Sequence, residues 1–340
     1  MIRIGLIGLG FMGRTHLQNY IRLEREGVPV QVVALCDMNP LAMEAGSFGE
    51  GNIDTGAEVI DFSGYARYTS YEDMIRQEQL DMVDITLPTY LHEEVSVHAL
   101  RAGLHVLCEK PMAMNVEECE GMAEAADASG KQLMIGQCLR FWPAYEYLKE
   151  LVQAGTYGAA TSGVFTRLSD TPTWGAWLTQ GDKSGGAMLD MHVHDTDMIQ
   201  WLFGKPSQVS SVARNVVPGS GYDIVSTHYK YEDGKVINGQ ADWTMGGDFG
   251  FEMGYRVNFE RGNVVFQGNQ VKVNPHGEPA FYAELSEDNG YYRQLKYFVE
   301  SLLADKQTDK ATPLSTLESI QIVQAEIASA DQNGAWVPVK

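Results

Sequence analysis

The sequence predicts two domains: a doubly wound parallel α/β domain over residues 1–138, and an α+β domain with a large, mostly antiparallel, open-faced sheet over residues 139–340. Three observations support this fold class. The chain has 340 residues, more than the ~100–200 of one typical domain. As far as Cys138, short apolar runs alternate with helix-like stretches, which is typical of parallel strands joined by crossover helices. From Thr161 to Val273, polar and apolar residues alternate between turns instead.

The first half contains five strand candidates and four helix candidates, the first of which begins at Met12. Runs rich in Val, Ile and Leu predict strands at Ile2–Ile7, Val30–Leu35, Met82–Leu87, His105–Leu107 and Gln132–Ile135. Apolar residues at helical spacing predict helices at Tyr71–Gln79, His92–Ala102 and Val116–Ser129. Residues Gly46–Tyr68 are Gly-rich, acidic and non-periodic. They exceed the usual connection of ~2–6 residues, so we expect a surface insertion there.

The second half begins with a helix candidate at Ala144–Ala154 and continues with antiparallel strands. Strand candidates include Asp223–Tyr231, Lys235–Met245 and Gly254–Phe259, with turn sequences at 232–234 and 261–263. Two further helices are predicted at Asn289–Ala304 and Leu314–Ala330, the second preceded by Thr312-Pro313.

Composition narrows the class of partner. The 45 acidic and 25 basic residues give a formal charge of −20, which opposes nucleic-acid binding and favours a small neutral substrate. No run approaches the ~18 apolar residues of a membrane span, and no signal-peptide layout follows Met1. We therefore expect a cytoplasmic protein with no membrane partner. The four cysteines form no Cys-x-x-Cys pair, so we expect reduced thiols and no zinc site.

The first chemical motif is Gly8-Leu9-Gly10-Phe11-Met12-Gly13, between a predicted strand and a predicted helix. This is the context in which a G-x-G-x-x-G sequence indicates a Rossmann dinucleotide site. The first glycine allows a tight turn, the second lets a pyrophosphate approach the backbone, and the third permits close helix packing. A turn without a ligand is the simpler alternative.

Asp37 follows the second predicted strand, at about the 20-residue spacing expected for the acid that binds the adenosine ribose hydroxyls. The next residues are Met38, Asn39 and Pro40, with no basic side chain to receive a 2′-phosphate. The pattern therefore favours NAD over NADP. A solvated loop aspartate is the alternative.

The third motif, Glu109-Lys110-Pro111, follows the strand at His105–Leu107, at the sheet edge where open α/β folds bind ligands. Glu109 can pair with Lys110, and Pro111 can fix the turn that directs the lysine. Lys110 is therefore a candidate functional amine, and an ordinary surface lysine is the alternative.

The densest cluster follows Gly185-Gly186 and contains two histidines and three aspartates over residues 190–197. If this segment is helical, Asp190, His194 and Asp197 fall at i, i+4 and i+7 and share one face. A carboxylate and an imidazole on one face can hold a hydroxyl and take its proton. A metal site at His192-x-His194 and a capped structural helix start are the alternatives.

Together, Gly8-x-Gly10-x-x-Gly13, Glu109-Lys110-Pro111 and Gly185-Gly186 followed by Asp190-x-x-x-His194-x-x-Asp197 resemble the glucose-fructose oxidoreductase, inositol dehydrogenase and rhizopine catabolism family (Gfo/Idh/MocA). The resemblance extends over essentially the whole chain. It implies a nicotinamide dinucleotide domain joined to a substrate domain that acts on sugars, polyols or their keto forms. Lys110, Asp190 and His194 occupy the positions of the family's residues around the reacting carbinol.

The resemblance also implies two sets of contacts, and because the sequence shows no other convincing ligand cluster we expect no metal. The residues expected to contact NAD are Gly8, Gly10, Phe11, Met12, Gly13, Asp37, Thr86, Pro88, His92, Glu109 and Lys110. Those expected to contact the substrate are Lys110, Arg140, Trp174, Trp177, Asp190 and His194. The tryptophans could stack on a sugar ring or belong to the core. The free face of an antiparallel sheet predicts a homodimer or homotetramer, which makes residues 139–340 the oligomerisation domain as well.

The chain departs from the family pattern at three places. Pro88-Thr89-Tyr90-Leu91-His92 stands where many members have Pro-Asn before a histidine. His192 stands where glycine is common, which would place an extra imidazole beside the site. The Gly46–Tyr68 insertion is longer than expected and would lie near the adenine.

The resulting hypothesis is reversible hydride transfer between nicotinamide and a carbinol carbon, with His194 as the general base. An imidazole has an ordinary pKa of ~6.5, near working pH, and such catalysis contributes ~10²–10⁴-fold. Lys110 would stabilise the developing alkoxide, and Asp190 would anchor the proton network. Three alternatives stay open: glycoside cleavage through transient oxidation by tightly held NAD, a catalytically silent sugar or dinucleotide sensor, and a metal-dependent enzyme.

Overall fold

The computed structural model describes residues 1–44 and 60–340 and divides them into two compact units. The first unit comprises Met1–Cys138 and Gly290–Leu317, and the second comprises Leu139–Asn289 and Glu318–Lys340. A single boundary after residue 138 is therefore too simple, because residues 290–317 return to the first unit. The assignment of cofactor binding to the first segment, and of substrate binding and oligomerisation to the second, stays a prediction.

The first unit contains a six-stranded parallel sheet in the order β3-β2-β1-β4-β5-β6. Its strands are β1 (Ile2–Ile7), β2 (Val30–Cys36), β3 (Ala66–Tyr68), β4 (Met82–Ile85), β5 (His105–Glu109) and β6 (Leu133–Gly136). Its helices before residue 138 are α1 (Phe11–Arg25), α2 (Tyr71–Gln77), α3 (His92–Arg101) and α4 (Val116–Ser129). Because β1 lies between β2 and β4, the strand order reverses at β1, and open α/β sheets bind ligands at such a point.

One sequence expectation in this unit needs correction. The end of the expected insertion is not a surface loop, since β3 pairs in parallel with β2 and forms the edge of the sheet. A strand of three residues is shorter than the ~4–8 residues over which alternation is recognised, so the sequence gave no strand signal there. Residues 45–59 of the expected insertion lie outside the described residues.

The second unit contains helices packed with a nine-stranded sheet in the order β14-β13-β12-β11-β7-β10-β9-β8-β15. Its helices include α5 (Pro143–Ala154), α6 (Gly181–Ser184), α7 (Gly186–Asp190) and α8 (Val193–Phe203). The strands are β7 (Ala160–Asp170), β8 (Gln208–Arg214), β9 (Ile224–Lys230), β10 (Val236–Met245), β11 (Phe251–Phe259), β12 (Gly262–Gln267), β13 (Gln270–Pro275), β14 (Phe281–Tyr282) and β15 (Val337–Pro338). The pairing of β7 with β10 is parallel and the other pairings are antiparallel, which confirms the expected fold class.

Two helices lie between β14 and β15 in the sequence. Helix α9 (Gly290–Leu303) packs on α1 in the first unit, where the Arg22 guanidinium lies 3.8 Å from the centre of the Tyr292 ring. Helix α10 (Pro313–Asp331) begins at the proline that the sequence placed at a helix start.

The side chains of the large sheet alternate between a buried face and an accessible one, as the sequence pattern requires. Phe165 of β7 and Trp243 of β10 are buried, whereas Val212 of β8 and Val236 of β10 are 66% and 62% exposed. The four cysteines are buried and free, as expected. Across residues 1–44 and 60–340, no helix combines the length and apolar character that crossing a bilayer requires.

Candidate active site

In the turn between β1 and α1, two of the three glycines pack too tightly for a side chain, and the third faces open space. A Cβ on Gly13 would lie 1.9 Å from the carbonyl oxygen of Gly8, and a Cβ on Gly8, whose φ is +94°, would lie 2.7 Å from that of Thr86. A Cβ on Gly10 would meet no described atom within 4 Å. Gly8 and Gly13 therefore close the turn, while the outer side of Gly10 is open to the approach of another molecule.

The N-terminus of α1 fits the pyrophosphate of a dinucleotide. Gly10 occupies the N-cap position with no side-chain cap, and the first turn carries no acidic residue. The first N–H groups of a helix lack intrahelical partners, and the helix dipole favours an anion beside them. Phe11 and Met12, predicted to contact the cofactor, are half-buried in this first turn.

Asp37 directly follows β2, and its carboxylate organises the turn. One oxygen accepts a hydrogen bond from the Leu9 N–H at 2.8 Å, and the other accepts one from the Asn39 N–H at 2.8 Å. No basic residue follows Asp37 directly in the sequence, but Arg14 of α1 interacts electrostatically with its carboxylate. Arg14 lies 23 residues before Asp37 in the chain, so residues next to Asp37 in the sequence give no sign of this cation.

The loop after β4 supports the glycine-rich turn. The Thr86 hydroxyl donates to the carbonyl oxygens of Ile7 and Gly8, at 3.1 and 2.8 Å.

His92, at the start of α3, is 1% exposed. Its ring nitrogens lie 2.7 Å from the Pro111 carbonyl oxygen and 2.8 Å from the Leu87 carbonyl oxygen. Burial lowers the pKa of His92. His92 therefore ties two loops together, and its burial argues against the direct cofactor contact expected of it. Pro88, half-buried, caps the 3-10 turn Thr89–Leu91.

Glu109 ends β5 and is held by a buried histidine that the sequence reading missed. His16 of α1 is 0% exposed, with Nδ1 2.8 Å from Asp84 Oδ2 and Nε2 3.2 Å from Glu109 Oε1. The Tyr20 hydroxyl also donates to Asp84 Oδ2, at 2.9 Å. A carboxylate within the apolar run 82–85 was the available signal, because a buried charge requires a partner.

The two carboxylates raise the pKa of His16 to about 10, although burial acts in the opposite direction. The pKa of Glu109 is lowered, with His16 and Lys110 outweighing its burial. Lys110 follows immediately, is half-buried, and precedes a cis peptide bond to Pro111. Its N–H donates to Glu109 Oε2 at 3.1 Å. The lysine that the sequence singled out is thus fixed through its neighbour.

In the second unit, Asp190 and His194 stand out by their accessibility. Every residue from Gly186 to Gln200 is buried except these two, which are half-buried. Asp190 ends α7, and the chain turns at Met191 and His192 before α8 begins at Val193. The i, i+4, i+7 spacing assumed one continuous helix. The segment instead forms two helices separated by a turn. It nevertheless leaves one carboxylate and one imidazole accessible, and each is a group that can accept a proton.

Arg140, an expected substrate contact, forms a buried ion pair with Asp197, which was expected to share a face with Asp190 and His194. Arg140 and Asp197 are 1% and 0% exposed, and the guanidinium donates to both carboxylate oxygens, at 2.8 and 2.7 Å. Ser319 donates to the same carboxylate at 2.7 Å. Asp197 therefore does not share the accessible side of Asp190 and His194. The burial of Arg140 favours a structural role over the substrate contact expected of it.

His192 is buried in a polar cluster and does not line an open site. Its Nε2 lies 3.2 Å from the Tyr229 hydroxyl and 3.6 Å from Glu326 Oε1. The Tyr229 hydroxyl donates to Glu326 Oε1 at 2.7 Å, and Thr196 contacts the same carboxylate. No group of three or more His, Cys, Asp or Glu residues suited to a metal occurs in the described part of the chain. A His192-x-His194 metal site has no support from this arrangement.

Trp174 and Trp177 are half-buried in the segment between β7 and α6. Their expected stacking on a sugar ring stays a prediction.

Family models match both units. The model described as the oxidoreductase family with an NAD-binding Rossmann fold matches residues 2–137, and the GFO/IDH/MocA C-terminal domain model matches residues 145–265. The chain belongs to the GFO/IDH/MocA family. The family and fold class predicted from the sequence are thereby confirmed.

Curated relatives include the levoglucosan dehydrogenase of Pseudarthrobacter phenanthrenivorans, 30% identical over 64% of this chain and 55% of its own length. The inositol 2-dehydrogenase of Salmonella typhimurium is 28% identical over 60% of this chain and 55% of its own. The 2,7-anhydro-N-acetylneuraminate hydratase of Escherichia coli is 26% identical over 80% and 67%. The match thus spans about half the length of the two dehydrogenases.

Solved structures of the same fold cover nearly the whole chain. A levoglucosan dehydrogenase in complex with NADH and levoglucosan has a TM-score of 0.84 at 22% identity, covering 99% of both chains. The WlbA dehydrogenase of Bordetella pertussis, in complex with NADH and UDP-GlcNAcA, has a TM-score of 0.83 at 21% identity, covering 100% of this chain and 99% of its own. At these identities the likeness shows the fold.

Proposed function

We propose that the protein is an NAD-dependent dehydrogenase that reversibly transfers hydride between nicotinamide and a carbinol carbon of a sugar, polyol or sugar derivative. The observation that carries the proposal is the selective accessibility of Asp190 and His194 within the otherwise buried segment 186–200. The reaction also needs a bound dinucleotide. The open side of the glycine turn and the uncapped start of α1, both in the first unit, fit one. Membership of the family and the names of its dehydrogenase relatives support the same reaction class.

Each residue has a defined task in this proposal. Bound NAD would supply the hydride acceptor. His194 removes the hydroxyl proton during oxidation and returns it during reduction. Lys110 donates a hydrogen bond to the reacting oxygen and stabilises its developing negative charge, while Asp190 anchors the proton network or a neighbouring hydroxyl.

The residues around the glycine turn would hold the cofactor. The N–H groups of Gly10, Phe11 and Met12 fit the pyrophosphate, and the Asp37 carboxylate fits the adenosine ribose hydroxyls. We propose NAD over NADP because Asp37 repels a 2′-phosphate, although Arg14 reduces this repulsion. Asp37→Ala is expected to weaken NAD binding and to reduce the difference in affinity between NAD and NADP. Tighter binding of NADP than of NAD to the wild type, measured by calorimetry, would contradict the assignment.

A screen of polyols, aldoses and glycosides with NAD, following NADH absorbance, tests the proposed reaction. We expect oxidation of a neutral polyol or sugar to depend on added NAD. Binding of NAD without turnover of any member of the panel would instead favour a sensor.

The hydratase among the relatives supports a second candidate, a net non-redox reaction on a sugar derivative with NAD retained on the protein. Consumption of a glycoside without added NAD and without accumulation of NADH would favour this reaction. Equal rates with and without a chelator are expected for both candidates, because neither uses a metal.

We further propose a homodimer or homotetramer in the cytoplasm, assembled through the accessible face of the large sheet. The exposed Val212 and Val236 on this face support an interface between subunits. The formal charge of −20 argues against a nucleic-acid partner. A monomeric mass by light scattering at micromolar concentration would refute this assembly.

A further inference from the structure

The geometry of the buried cluster around His16 favours a positive charge at this residue. Both ring nitrogens face carboxylate oxygens, Asp84 Oδ2 at 2.8 Å and Glu109 Oε1 at 3.2 Å. A neutral imidazole carries only one N–H, so one lone pair would face a carboxylate oxygen in a site with no exposure to water. Only the imidazolium donates to both carboxylates.

The same cluster reaches Lys110 through Glu109. One carboxylate oxygen of Glu109 contacts His16, and the other accepts the Lys110 N–H at 3.1 Å. Gly136 of β6 makes room for this carboxylate, because a Cβ there would lie 2.6 Å from Glu109 Oε1. His16, Glu109 and the Lys110 backbone thus form one continuous chain of contacts.

We infer that His16 is a positioning residue: as an imidazolium held between Asp84 and Glu109, it fixes the Glu109 carboxylate that in turn holds the backbone of Lys110. The role of Lys110 in catalysis rests on the proposed function. The contacts that connect His16 to Lys110 are independent of that function.

Charged and titratable groups surround the cluster from several elements. Asp84 lies on β4, Tyr20 on α1 and Glu109 on β5, while Lys110, His92 and Cys108 interact electrostatically with Glu109. Helix α9 contributes the uncharged amide of Gln294, with Nε2 3.4 Å from His16 Nε2 and 3.5 Å from Glu109 Oε1. His16 is the one imidazole in the described residues that contacts both Asp84 and Glu109. Its loss therefore leaves two buried carboxylates without the cation that contacts both.

Two substitutions separate charge from position. His16→Gln removes the cation, whereas Gly136→Ala keeps every charge and displaces the Glu109 carboxylate. The matched controls are His98→Gln, at an exposed histidine of α3, and Gly121→Ala, where a Cβ on α4 would have only an ordinary contact of 3.7 Å. If His16→Gln fails to fold, Gly136→Ala carries the test.

The first readout needs neither cofactor nor substrate. Nitrogen-15 NMR of the histidine rings should show His16 protonated at both nitrogens at pH 8. Amide hydrogen exchange should show the Lys110 N–H protected in the wild type and in both controls, with at least ~10-fold less protection in the two test variants. An unprotonated ring nitrogen on His16 at pH 8, or unchanged Lys110 protection in both folded test variants, would overturn the inference.

The second readout is the split between kcat and cofactor affinity. We expect kcat to fall ~10–100-fold in both test variants, since small displacements of catalytic groups have effects of this size, with the Kd for NAD changed less than ~3-fold. Wild-type kcat in both folded test variants would also overturn it. If the wild type binds NAD but oxidises no substrate, the proposed function fails, and the NMR and exchange data alone decide the role of His16.

Discussion

His194 is the side chain whose substitution should affect the proposed chemistry most directly. As a general base it must be unprotonated, so the rate of alcohol oxidation should rise with pH and then level, while carbonyl reduction should show the opposite limb. His194→Ala should remove the limb and lower kcat by ~10²–10⁴. His228→Ala, at an exposed histidine of β9, is the control and should leave the profile unchanged. A persisting pH limb in the His194 variant would reassign the base.

Lys110 provides a second residue-level test, since its ammonium is proposed to act on the reacting oxygen. Lys110→Ala should therefore lower kcat far more than it lowers NAD affinity. Lys306→Ala, at an exposed lysine of the first unit, is the matched control. Steady-state kinetics and calorimetry distinguish the outcomes. A normal kcat with a large loss of NAD affinity would limit Lys110 to cofactor binding.

At the residue scale, sequence spacing identified polar clusters but did not separate accessible from buried members. Asp190 and His194 are half-buried, whereas Asp197 pairs with Arg140 from a segment 57 residues away. His16 and Asp84 are likewise 68 residues apart. Such pairs depend on which elements meet in the fold, and local periodicity carries no information about that.

At the element scale, the β1–α1 turn makes opposite predictions for two of its glycines. Gly13→Ala should destabilise the protein by about 1–3 kcal/mol or more, because the added Cβ would overlap the Gly8 carbonyl oxygen. Gly10→Ala should leave stability within ~0.5 kcal/mol and weaken NAD binding, because its Cβ would enter the open side of the turn. Urea denaturation and calorimetry measure the two effects. Unchanged NAD affinity in Gly10→Ala would place the dinucleotide elsewhere.

Elements with strong periodicity were predictable, and those formed by pairing partners were not. The predicted strand at Ile2–Ile7 and helix at Val116–Ser129 agree with the structure at both ends. Strand β3 has three residues and depends on β2 for its hydrogen bonds, so its own sequence gives little signal. The interruption between α7 and α8 falls within a stretch whose spacing suits one continuous helix.

At the scale of the whole molecule, His16 predicts how stability depends on pH. Its pKa is raised to about 10 in the folded protein, so the stabilisation is fully present below pH ~6.5 and is lost as pH rises towards about 10. This loss is expected to be on the order of a few kcal/mol. Burial lowers the pKa of His92. The stability that depends on its neutral form is therefore lost as pH falls below ~6.5, in contrast to the alkaline loss at His16. Stability should therefore be greatest near pH 6.5.

Urea denaturation of the wild type and His16→Gln between pH 6.5 and 9 measures the alkaline loss. The variant should be less stable at pH 6.5 and should lack the decline seen in the wild type. Above pH 9, buried thiols contribute as well, because burial raises the pKa of Cys36 and Cys119 to about 12. A wild-type free energy of unfolding that stays constant from pH 6.5 to 9 would contradict a buried imidazolium.

Transfer of deuterium tests the central claim, hydride transfer from a carbinol carbon to nicotinamide, most directly. The substrate is the polyol or sugar oxidised fastest in the screen, prepared with deuterium on its carbinol carbons and incubated with NAD and the wild-type protein. Mass spectrometry of the recovered cofactor should show NADH carrying one deuterium, and His194→Ala should give the same product at a much lower rate. NADH without deuterium, or substrate conversion that leaves no reduced cofactor at any time, would contradict the proposed reaction.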